Sequence, residues 1–150
     1  MTELVRFNDD TVMTLKDDAA TVNALVRRTP PERLAERRFG EWSAIEVIGH
    51  VTHMAEVMRQ RIERCLSEAV PAIEAVPSGA LPDERDPLKL ARRLQRAHAA
   101  MVELLLEPGA ADRPATHPEW GRVSAGFFAG YHAKHGHEHI LELARSFPPS

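Results

Sequence analysis

The sequence predicts an all-α protein, a four-helix bundle with a long crossover between its second and third helices. Three observations lead there. Four stretches carry apolar residues at three- and four-residue steps; none sustains the period-two alternation of a half-buried strand; and a long, proline-broken segment separates the second helical stretch from the third. With 150 residues, 43% hydrophobic and 27% charged, the chain can bury one sizeable core and is too apolar for disorder along most of its length. One domain spanning 1–150 is expected.

The first helix starts after Asn8-Asp9-Asp10, residues suited to an N-cap, and its apolar stripe is Val12, Leu15, Ala19, Val22 and Val26. Arg27-Arg28 suit its C-terminus and Pro30-Pro31 stop it. Ser43-Ala44-Ile45-Glu46 opens the second helix as a capping box, in which hydroxyl and carboxylate satisfy free backbone N–H groups. Val47, Val51, Met54, Met58, Ile62 and Cys65 line one face, and His50 falls inside that stripe. From Ser67 to Asp86, Pro71, Pro77, Gly79 and Pro82 exclude a helix. In a bundle such a connection allows the next helix to run parallel to the last.

Asp86-Pro87 supplies an N-cap and a first-turn proline, and Leu90, Leu94, Ala97, Met101, Leu104 and Leu105 continue a third helix up to Pro108-Gly109. After a loop from Gly109 to Arg122, a fourth helix runs from about Ser124 to Arg145, with Phe128, His132, His135, His139 and Leu143 on one stripe. Gly126, Gly130 and Gly136 inside it each cost ~1 kcal/mol against alanine, which points to close backbone approach by a neighbour.

A net charge of −3 offers no basic footprint for nucleic acid. The opening MTELVRFNDD lacks the apolar core of a signal peptide, and no run approaches the ~20 apolar residues of a membrane span. A cytoplasmic protein with neither nucleic-acid nor membrane partners is expected. The single cysteine, Cys65, sits at helical spacing among apolar residues and reads as a packed thiol without an activating context.

Four of the eight histidines fall between His132 and His139. His135 and His139, four residues apart, share a helical face and can turn their nitrogens toward one ion. A third ligand is available from His50, on the core-facing stripe of another helix, and three protein ligands plus one open position describe a catalytic metal site. The competing reading is a hydrogen-bonded core histidine. His132 shares the His135 stripe and is a ligand or a hydrogen-bond partner of one; His53, one turn after His50, is a lesser candidate for the same role. His137 points away from His135 and is expected to face solvent, His98 abuts the core stripe of the third helix in a structural role, and His117, in a loop, either approaches the site mouth or has no role there. The mouth is expected between the connection around Pro71 to Pro82 and the Trp120 loop. No Glu-x-x-His occurs, which argues against a di-iron carboxylate bundle, and Gly136 stands where a zincin would carry its glutamate.

Two stretches, WSAIEVIGHV from Trp42 and HPEWGRVS followed by HAKHGHEHILEL, resemble the DinB-like family, the first matching its Trp-Ser-x-x-Glu-x-x-x-His-Leu opening of helix two. The resemblance spans most of the chain in helix order. It implies a bundle, often a homodimer, that holds one divalent ion through a histidine of helix two and two of helix four, here His50, His135 and His139. The chain departs from many members in placing Glu138 before His139 and in its extra His132 and His137. Zinc or nickel, a small-molecule substrate and a low-molecular-weight thiol cosubstrate are the implied partners of a transferase or hydrolase. The rival expectation is a non-catalytic bundle acting as a dimerisation or stress-response binding module.

Overall fold

The computed structural model describes residues 6–149. Helix α1 (Asp9–Arg28) leads to a one-turn helix α2 (Pro31–Leu34), a hairpin of β1 (Arg37–Phe39) and β2 (Trp42–Ser43), and helix α3 (Ala44–Ser67). Beyond the long connection come α4 (Pro87–Leu105), a 3-10 turn at Ala110–Asp112, a hairpin of β3 (Pro114–His117) and β4 (Gly121–Ser124), and α5 (Ala125–Ser146). The four long helices are those the apolar periodicity predicts. Both antiparallel hairpins are additions, because strands this short display too few residues for alternation to be read. In the first, Phe39 pairs with Trp42, and Gly40 takes the positive φ of 65° that a two-residue hairpin turn requires.

Side-chain oxygens close the starts of the four long helices. Asn8 and Thr11 form a capping box on α1, and the Asp86 carboxylate accepts from the Leu88 and Lys89 N–H groups on α4. On α3 the Ser43 hydroxyl accepts from the Glu46 N–H at 3.4 Å while the Glu46 carboxylate accepts from the Ser43 N–H at 3.0 Å.

Around the bundle, α3 and α1 each pack against both α4 and α5, so α3 and α1 sit on a diagonal. Thr52, early in α3, donates to the Leu90 carbonyl early in α4, and one turn on Glu56 pairs with Arg93 at 2.6 and 2.9 Å. Helices α3 and α4 are therefore parallel, the arrangement that a long crossover permits. The ion pair also takes Arg93 out of what reads in sequence as a solvated arginine run. Helix α5 runs antiparallel to α3: His50 near the start of one meets His139 near the end of the other, while Arg61 lies over the ring of Phe128. Leu15, Leu25, Ile48, Ile62, Leu94 and Phe128 are fully buried between the helices, each contributing about 1.5–3 kcal/mol by leaving water.

Residues 71–74 of the crossover are tied down. The Ile73 N–H donates to the Thr116 carbonyl at 2.8 Å, the Thr116 N–H to the Pro71 carbonyl at 3.0 Å, and the buried Arg61 to the Glu74 carbonyl at 2.7 Å. Of the α5 glycines, Gly126 meets the close-approach expectation, since a Cβ there would lie 3.0 Å from the Phe7 Cβ and 3.2 Å from the Ala111 oxygen. Gly136 does not: a Cβ would find ordinary contacts of 3.5 Å to His132 and 3.6 Å to Val51. Among the described residues no helix is long and apolar enough to cross a membrane.

Substituting Ser43→Ala removes the α3 cap from a buried position and should lower the unfolding free energy by ~1 kcal/mol, measured as a reduced urea midpoint with an unchanged slope.

Candidate metal centre

Antiparallel packing of α3 on α5 leaves a cavity of about 250 Å³ at the end where α3 begins. Its wall takes His50, Val51, Met54 and Met58 from one face of α3, and Tyr131, His132, His135, Gly136 and His139 from one face of α5. Val76, Pro77, Ser78 and Gly79 of the crossover complete it. The chain folds this way locally because the crossover is pinned on either side of these residues, at Glu74 and, through His50, at Ala80.

His50 is half-buried between Trp42, with ring centroids 5.2 Å apart, and His139, 5.8 Å away and edge-on. Its Nδ1 lies 2.9 Å from the Ala80 carbonyl, which can only accept, so Nδ1 carries a proton and, in the neutral ring, Nε2 keeps the lone pair. A backbone carbonyl holding one ring N–H is how protein imidazoles are oriented for a cation on the other nitrogen. Half-buried His139 is held below its ordinary pKa, by desolvation first and by neighbouring His50 second, and so favours the neutral, ligand-competent ring. His135 is exposed and packs on the Tyr131 ring at 4.2 Å.

All three predicted ligands thus border one cavity. They do not form a closed ligand set, for among the described residues no group of three His, Cys, Asp or Glu side chains is arranged to hold a metal ion. In donor chemistry the residues fit a borderline divalent ion, which takes neutral imidazole, and among the described residues no carboxylate stands in the wall to offset its charge.

His132 is buried in the same wall, and its Nε2 lies 2.9 Å from Nε2 of His98 on α4. His98 in turn donates from Nδ1 to the Leu15 carbonyl at 2.7 Å. Burial keeps both neutral: it depresses His98 to about 4, and it pushes His132 well below the usual range, with the nearby His98, His50 and His135 adding to the effect. The structural role expected of His98 therefore includes a direct link to the cavity.

His53 is half-buried and forms no part of the wall. His137 does not simply face solvent: its Nδ1 lies 2.9 Å from the buried Asp18 carboxylate, joining α5 to α1. Burial raises the Asp18 carboxyl and contact with His137 partly offsets this. His117 is buried away from the mouth; it accepts from the Glu119 and Trp120 N–H groups and stacks on Trp120 with centroids 4.0 Å apart. Trp120 reaches the cavity indirectly, through Tyr131 at 4.5 Å. Tyr131 itself was legible, since it precedes His135 by one turn on the same face.

Cys65 is buried at the far end of α3, and burial pushes its thiol up to about 11. At pH 8 it stays protonated, so the folded protein should resist a disulfide reagent such as DTNB, whereas one thiol per chain should react after unfolding in guanidinium.

The family model described as the DinB superfamily matches residues 14–143. YfiT from Bacillus subtilis, described as a probable metal-dependent hydrolase with an unusual four-helix bundle topology, shares the fold with a TM-score of 0.75 at 23% identity. The match covers 95% of this chain and 88% of that one. No curated protein matches the chain. Four helices in this order, the capped Trp-Ser opening of α3 and a family match over most of the sequence lead to one assignment: the chain belongs to the DinB superfamily.

Proposed function

We propose that the protein is a metal-dependent enzyme, a hydrolase or thiol transferase, whose single divalent ion is held by His50, His135 and His139. The observation that carries this reading is the meeting of these imidazoles, from α3 and α5, at one small cavity to which no carboxylate contributes among the described residues. A divalent ion there supplies Lewis acidity, lowering the pKa of a nucleophile, water or thiol, and polarising an electrophilic substrate. Zinc or nickel suits nitrogen donors of this kind.

The chain's own residues supply the rest. His50 is oriented by the Ala80 carbonyl, Met54, Met58 and Val76 present apolar surface to the substrate, and the crossover limits entry of water. Neutral ligands leave an ion's full positive charge in place, which favours an anionic nucleophile beside it. A volume of about 250 Å³ suits a small-molecule substrate or a compact reacting group. Description of the structural neighbour YfiT as a probable metal-dependent hydrolase supports the hydrolytic branch; the thiol branch and a homodimeric state rest on the family resemblance.

Elemental analysis of protein purified without a polyhistidine tag should find close to one equivalent of zinc or nickel. Each of His50→Ala, His135→Ala and His139→Ala should weaken metal binding by more than the ~10–100-fold typical of an outer-sphere partner. Hydrolysis of small activated esters and thiol addition to electrophiles, assayed with and without chelator, distinguish the two branches. The unclosed ligand set among the described residues favours, as the second reading, a bundle that binds without turnover. Full metal loading with no metal-dependent turnover in either assay would select it.

A further inference from the structure

The buried His98–His132 pair is not spent on the ligand set. Its protons can be placed by elimination. The Leu15 carbonyl only accepts, so Nδ1 of His98 is protonated, and a neutral His98 then has a bare lone pair on Nε2. His132 faces that lone pair across 2.9 Å and must donate from its own Nε2. Its remaining lone pair is on Nδ1.

No partner for that nitrogen exists among the described residues, although His132 is only 4% exposed. No side-chain nitrogen or oxygen that is shut off from solvent goes unpartnered there either. Nδ1 accordingly reaches accessible space, and the space that His132 borders is the cavity. A chain of two hydrogen bonds thus runs from the backbone of α1, through His98 on α4, to a free acceptor beside the candidate metal site.

We propose that His132 is a tautomer-locked hydrogen-bond acceptor that positions an O–H, N–H or S–H group of the substrate or nucleophile, and that His98 is the positioning residue that locks it. The lock gives selectivity by chemistry. A carbonyl or carboxylate oxygen brought to Nδ1 sets lone pair against lone pair, whereas a donor regains the hydrogen bond that water otherwise makes. The proton placement stands without a metal; the role in substrate choice rests on the function proposed above.

Long-range ¹H–¹⁵N correlation of imidazole-labelled, metal-free protein reads the tautomer directly. Wild type should show His132 protonated at Nε2 and bare at Nδ1, and His98→Leu should release it into tautomer exchange, an effect that loss of packing alone does not produce. Should His98→Leu fail to fold, the wild-type spectrum still decides. In zinc-loaded protein, imidazole, which keeps an N–H after coordination, should bind a few-fold to about tenfold tighter than 1-methylimidazole, and His132→Phe should abolish the difference. A proton on His132 Nδ1, or an unchanged preference in His132→Phe, overturns the proposal. Zinc that leaves the His50, His135 and His139 rings unshifted would instead defeat the metal reading, while the His132 tautomer would still be read.

Discussion

Everything at the site depends on the antiparallel packing of α3 against α5. It brings the start of one helix to the end of the other, so that His50 and His139, separated by most of the chain, lie with ring centroids 5.8 Å apart. The same register places Arg61 over Phe128 at the other end, where the contact is sealed by buried apolar side chains. One end of this interface is closed by core; the other leaves a cavity lined by imidazoles.

A second constraint is the cost of burying titratable rings. An imidazolium shut away from water is expensive, and burial keeps His98 and His132 neutral, each with its N–H assigned to an acceptor. His98 donates to the Leu15 carbonyl and His132 to His98, while half-buried His50 donates to the Ala80 carbonyl. These partners are chosen by the fold and not by neighbouring sequence, and each leaves a lone pair whose nitrogen is fixed. Desolvation that would destabilise a charged site thus prepares a neutral one that offers nitrogen acceptors.

The crossover links these two effects. Long loops are tolerable when their backbone groups find partners, and residues 71–74 find them on β3 and on the guanidinium of Arg61. Once anchored there, the next few residues line the cavity and reach His50 through the carbonyl of Ala80. A segment that the parallel arrangement of α3 and α4 demands for topological reasons therefore also forms part of the cavity wall.

The sequence by itself determined the four long helices, their caps and the crossover, because these are written in local periods and terminal chemistry, and it nominated His50, His135 and His139, which all line the cavity. Ser43 and Glu46 signal the start of α3 to the residue. The two hairpins were invisible, being too short for a period, and the Asp18 contact of His137 lay beyond the reach of spacing, since it joins helices at opposite ends of the chain. Only the tertiary structure decided which ring nitrogen of His50, His98 and His132 donates. That choice is made by carbonyls of Leu15 and Ala80, and every residue carries a carbonyl, so no side-chain pattern can announce it.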